Sequence, residues 1–166
     1  LRPYITTSDV ALLREIVWML GKMGDPKSQE MIMGAFHRDD PKLRATVIRA
    51  LRGFQSHRIK ELMRNALDDE SEEVRVEALR YIAMYRDGGA REKVLEKVRS
   101  PDFLKRGERE IKGFLITLAL IDPELAAKEF RGFLKDKKLH ERLDFFKVLA
   151  EAIKKLPPEK AAPLFR

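Results

Sequence analysis

A pattern of apolar residues recurs along this chain at a fixed spacing of 31 residues, which restricts the fold to a stack of similar helical repeats. Leu12, Ile16, Val17, Leu20 and Met23 form the first copy of the pattern. Leu43, Val47, Ile48, Leu51 and Phe54 form the second, and Val74, Ala78, Leu79, Ile82 and Tyr85 the third. No gap is needed to align them. Positions i, i+4, i+5, i+8 and i+11 fall on one face of a helix with 3.6 residues per turn. A second stripe follows at the same period, with Ile32 and Phe36 recurring as Met63 and Leu67 and then as Val94 and Val98. Each repeat therefore reads as two amphipathic helices of about a dozen residues joined by a short turn.

The turn residues agree with this. Gly24-Asp25-Pro26 supplies a helix-ending glycine, an N-cap and a proline suited to a first helical position. Ser56 and Asp87 take the place of Asp25 in the next two repeats. Asp39-Asp40-Pro41 and the acidic run from Asp69 to Glu73 precede the next first helices. Beyond Ser100 the register shifts while the pattern persists. Phe114, Leu115, Leu118 and Ile121 repeat the first stripe, and Phe130 with Leu134 the second. The fourth first helix is expected to start near Asp102 and to be longer than the others. Phe145, Phe146, Leu149 and Ala152, then Ala161 and Phe165, mark a fifth pair. The predicted fold is all-α, a right-handed α-α superhelix (α-solenoid) of about five helix pairs. The expected repeats are 9–38, 40–69, 71–100, 102–137 and 139–166, forming a single array over 1–166. A start without Met and an end inside an expected helix predict a segment of a longer protein.

Pro41-Lys42-Leu43-Arg44, with Val47-Ile48 and Ala50-Leu51, resembles the HEAT repeat, as does Glu73-Val74-Arg75 with Ala78-Leu79. The likeness is to its short prokaryotic form, named after phycobilin-lyase subunits. It covers residues 9–100 well and the last two repeats less closely. The first repeat departs in having Leu13 where Arg44 and Arg75 stand. The resemblance implies that Arg44 and Arg75 are structural residues, bonding acidic turn residues such as Asp39 or Asp69 and so joining neighbouring repeats.

Charge bears on the partner. Thirty-four basic and 27 acidic residues give a net charge of +7. In a HEAT stack the second helices line the concave face, where a nucleic-acid channel would concentrate positive charge. The expected second helices sum to +8 and the first helices to +6, with −7 on the turns and N-terminus. Glu30, Glu61 and Glu92 form an acidic column beside Gln29, Lys60 and Arg91. That interleaving suits salt bridges between helices better than a phosphate track. The reading is a non-catalytic cytoplasmic scaffold or regulatory module that binds a protein, with Lys27, Arg58, Lys60, Arg64, Arg91 and Lys93 selecting an acidic partner. Nucleic-acid binding through backbone phosphates is the alternative.

Other residues carry narrower expectations. Trp18, the one tryptophan, aligns with Arg49 and Arg80 and is expected to cover the end of the stack. Met19, Met23, Met31 and Met33 crowd the first repeat and are read as packing residues, Met23 on the core stripe. Glu110 falls where other repeats bury an aliphatic residue and is expected to turn toward Arg106 or Arg109. Chemistry finds little footing, so no enzyme activity, cofactor or metal is expected. There is no cysteine, and the three histidines include a single His-Glu pair, His140-Glu141, where HEAT-type iron hydroxylases carry several. The apolar run Gly113 to Ile121 is too short for the ~20 residues of a membrane span. Leu164 and Phe165 are expected to lack a neighbour and to favour self-association through the C-terminal pair.

Overall fold

The computed structural model describes residues 9–139 and 141–165. His140, half of the His-Glu pair, and Arg166 lie outside the described residues. Ten α-helices follow in order: α1 (Val10–Met23), α2 (Gln29–Gly34), α3 (Pro41–Ala50), α4 (His57–Asn65), α5 (Glu72–Met84), α6 (Arg91–Arg99), α7 (Glu108–Ile121), α8 (Pro123–Lys135), α9 (Leu143–Ile153) and α10 (Pro158–Ala161). Short 3-10 turns extend several of them, and no strand occurs among the described residues. The fold is all-α, built from helix pairs. It comprises two compact units, residues 1–81 and 82–166, with the division falling inside α5.

Local chemistry sets the helix ends. Asp9 accepts from the amides of Ala11 and Leu12, Asp40 from Leu43, Ser56 from Ile59 and Asp122 from Leu125. Each cap satisfies a donor that the first helical turn leaves free, worth about 1 kcal/mol. Gly24 closes α1 in the left-handed region at φ 67°, returning its amide to the Leu20 carbonyl. Asp87 behaves differently from Asp25 and Ser56. It is buried and does not cap the turn that follows it.

In the first unit the predicted stripes form the core. Leu43, Val47, Ile48 and Leu51 of the α3 region, and Ile32, Met63 and Leu67 of the second helices, are fully buried. Each such side chain contributes about 1.5–3 kcal/mol by leaving water. The buried Tyr81 hydroxyl donates to the Phe54 carbonyl at 2.9 Å. The first repeat departs from its register-mates. Leu12 is 43% and Met23 65% exposed, where the aligned Leu43 and Phe54 are buried. The cause is positional: α3 packs against α1, whereas no described helix lies ahead of α1. Leu13, standing at the arginine position, is buried instead.

The second unit holds an aromatic core. Phe103 packs edge-on to Phe114 at 6.1 Å and stacks on Phe133 at 6.4 Å, and Phe133 meets Phe145 at 5.3 Å. The helix expected near Asp102 starts later. Phe103–Lys105 forms a separate 3-10 turn, and Gly107 is extended (ψ 148°), so α7 begins at Glu108 and equals α1 in length. Pro158–Ala161 makes only one helical turn before a 3-10 segment, Ala162–Phe165.

Candidate functional site

Of the second-helix cations predicted to meet a partner, Arg58 and Arg91 are engaged with neighbouring acids. In the first unit Arg58 reaches from α4 to Glu30 of α2 at 2.5 Å, and His57 lies 3.5 Å from Glu61 on α4. Arg64 is half-buried. Lys27 is exposed and Lys60 half-buried, and neither has an ion-pair partner among the described residues. In the second unit Arg91 bonds Glu92 at 2.6 Å and Asp122 at 3.4 Å. Arg99 of α6 bonds Glu129 of α8 at 2.6 Å, and Lys160 of α10 pairs with Glu124 of α8. Lys93 is half-buried. Contact with Glu92, with Glu129 and with Glu124 holds Arg91, Arg99 and Lys160 respectively above their ordinary pKa values.

The residues assigned structural roles separate into two groups. Asp25 caps the amide of Lys27 at 3.1 Å. Arg44 forms a two-pronged pair with Asp69, at 2.7 and 2.9 Å, and adds Glu70 at 3.1 Å. The Asp69 hydrogen bond, chief among several contributions, raises the Arg44 pKa. Arg75 donates instead to the carbonyls of Asp69 and Glu70, at 2.7 and 2.9 Å. Asp39 is exposed and takes no part; Arg44 donates to the Arg38 carbonyl beside it. Arg49 continues the link between first helices, pairing with Glu73 at 2.9 Å. A buried carboxylate that sequence reading missed, Glu77, lies between Arg52 and Arg80, the latter at 2.8 Å. The period itself was the available signal, since Arg49 and Arg80 occupy one register position and Glu73 and Glu77 lie one turn apart on α5.

Trp18 does not cover the end of the first repeat. It lies in a groove of about 600 Å³ between α1 and α3, lined also by Arg14, Glu15, Lys42, Thr46, Arg49 and Glu73. The Lys22 ammonium sits 4.7 Å from its ring centre. The residues facing away from α3 at that end are Leu12, Met19 and Met23, each at least 43% exposed. A helical wheel separates them from Trp18 by about a quarter to two fifths of a turn.

In the second unit Glu110 is 1% exposed and paired with Arg106 at 2.5 Å, so the position is a buried ion pair at an aliphatic register site. At the C-terminal pair, an apolar cleft of about 550 Å³ lies among Leu134, Phe146, Leu149, Ile153, Leu156 and Phe165. Phe165 is 73% exposed there, while Leu164, expected to lack a neighbour, is buried. Among the described residues no three His, Asp or Glu side chains are grouped to hold a metal, and no helix is long and apolar enough to cross a membrane.

Residues 29–109 match a protein-family model described as HEAT repeats. No curated protein matches the chain. That match includes the second and third copies of the 31-residue register and the Arg44–Asp69 link, and on this combined ground residues 29–109 are built of HEAT repeats.

Proposed function

We propose that the chain is a non-catalytic HEAT scaffold or regulatory module, one array over 1–166 working in the cytoplasm. It binds a partner protein through the exposed faces of its second helices. HEAT repeats are in general protein-interaction scaffolds, and parallel helices offer a broad surface for a partner helix or peptide. The observation that carries the reading is the pairing of second-helix charge. Arg58–Glu30, Arg91–Asp122, Arg99–Glu129 and Lys160–Glu124 join neighbouring helices. A phosphate backbone would have to compete with those carboxylates for each guanidinium, whereas a protein surface can meet both signs. Lys27 and Lys60 remain to select acidic groups.

Capture experiments on nuclease-treated extract test the proposal. Proteins that co-purify reproducibly should depend on this face and fall away with Lys27→Glu/Lys60→Glu. Recovery of nucleic acid alone, falling steeply as salt is raised, would establish the phosphate-binding alternative in its place. The apolar cleft by Phe146 and Phe165 supports a secondary reading, self-association through the C-terminal pair, which sedimentation at rising concentration tests.

A further inference from the structure

The junction between the first two repeats lacks the staples found at the next one. Between the second and third repeats, Arg49 pairs with Glu73 and Arg52 with Glu77, and Arg44 pairs with Asp69 at the turn that leads into the third. Moving each pair back by one period of 31 gives Trp18 with Lys42, Gly21 with Thr46 and Leu13 with Arg38. None of these is an ion pair. Repeat geometry asks for an arginine at position 18 and an acid at position 42, and the chain places a tryptophan and a lysine there.

The substitution builds a groove of definite character. Gly21 brings α1 against Ala50 of α3. Beside that close crossing, Arg14 and Trp18 (i, i+4) on α1 face Lys42, Thr46 and Arg49 (i, i+4, i+7) on α3. A second cavity of about 290 Å³ continues past Trp18 to Lys22, Arg52 and Gly53. Arg49 is held by Glu73 and Arg52 by Glu77. Arg14, Lys22 and Lys42 have no ion-pair partner among the described residues; of the two carboxylates lining the groove, Glu73 is paired with Arg49 and Glu15 stands beside Arg14. Trp18 is 42% exposed in their midst. A tryptophan ringed by unpaired cations offers an apolar anchor flanked by sites for carboxylates.

We infer that the groove between α1 and α3 docks an acidic segment of a partner protein, with one apolar side chain of that segment against Trp18 and its carboxylates on Arg14 and Lys42. The site lies on the first-helix layer and is independent of the second-helix surface proposed above.

Trp18 is the chain's one tryptophan, so its fluorescence reports the site directly. The probe is a capped peptide of two Glu-Leu-Glu units in tandem, and its Gln-Leu-Gln analogue is the control. The acidic peptide should give a saturable emission change and the control none. Arg14→Glu/Lys42→Glu, checked for native helicity by circular dichroism, should weaken binding about tenfold or more, and milder Arg14→Gln/Lys42→Gln by less. Lys27→Glu/Lys60→Glu should leave the titration unchanged, which separates this site from the second-helix reading. The inference is overturned by no saturable change with the acidic peptide, by equal binding in the folded Arg14/Lys42 variants, or by a dT oligomer producing the change when the peptide does not.

Discussion

Gly21→Ala is the substitution whose outcome the structure determines most sharply. Glycine inside a helix costs about 1 kcal/mol relative to alanine, so local propensity alone predicts that the change stabilises α1. The packing opposes it. A Cβ at position 21 would lie 2.6 Å from the Ala50 Cβ, 2.7 Å from its Cα and 2.8 Å from its carbonyl oxygen. Ordinary contact begins near 3.4 Å, so α1 and α3 must part by about 0.8 Å or distort. Two of the three obstructing atoms are backbone and cannot rotate away. Overpacking of this kind costs about 1–3 kcal/mol, and backbone obstruction places it in the upper part of that range. The expected net result is a loss of about 1–2 kcal/mol, or roughly 2–8 °C in Tm. Urea unfolding followed by Trp18 emission, one turn away on the same helix, measures it. Gly132→Ala in α8 is the matched control, since a Cβ there meets nothing within 4 Å. It should stabilise by up to about 1 kcal/mol. Adding Ala50→Gly to Gly21→Ala should recover only part of the loss, because the Cα and carbonyl oxygen remain. If Gly21→Ala were as stabilising as Gly132→Ala, the close crossing would be wrong, and the groove that it borders with it.

The Arg44–Asp69 pair has both side chains about 10% exposed or less, so breaking it strands a nearly buried charge. Arg44→Met alone should cost about 3–5 kcal/mol, and Arg44→Met/Asp69→Leu much less, by urea unfolding. A cost for the single variant below about 1 kcal/mol would mark the pair as a solvated surface contact. In the second unit, a hydrogen bond from Lys112 at 3.0 Å holds Glu151 below its ordinary pKa of 4.5. A carboxylate lowered in the folded state stabilises above its ordinary pKa and loses that contribution as pH falls through the folded value. Carbonyl NMR should therefore find the Glu151 midpoint below 4.5, and Lys112→Met should move it upward. The destabilisation caused by Lys112→Met should fade in acid.

Much of this molecule was legible in the sequence because one period governs both layers of helices. Leu43, Ile48 and Leu51 are fully buried, as their stripe requires. Asp25, Ser56 and Asp122 cap helices because a short polar side chain ahead of a helical run has few better partners than the free amides behind it. Leu12 and Met23 belong to the same stripe and yet are exposed, since periodicity marks a face as apolar without saying whether another helix covers it. The late start of α7 escaped detection for a related reason. Phe103 is buried in either conformation, and its burial in a 3-10 turn leaves the same apolar signal as burial in a helix. Charge was the least legible feature. A column of alternating sign is compatible with solvated side chains or with cross-helix pairs, and only the Arg58–Glu30 and Arg99–Glu129 distances separate the two.

The departures from the repeat carry more information about function than the repeat does. Where Arg49–Glu73 and Arg52–Glu77 hold the second repeat to the third, the residue types are fixed by a structural task that each pair completes. A position freed from that task can take any residue compatible with solubility, and most would be small or charged. Trp18 is neither. It exposes apolar surface next to Arg14 and Lys42, which find no carboxylate among the described residues, while Glu73 in the same groove already serves Arg49. Glu110 is a contrasting departure. It introduces a charge at an aliphatic position, but Arg106 four residues earlier satisfies it within the same unit, so the exception is closed internally and leaves nothing for a partner. An exception satisfied from within is structural, and one whose charges and apolar face remain open is a site. By that criterion the α1–α3 groove, more than the paired second-helix cations, is where an acidic partner would find the fewest competing charges.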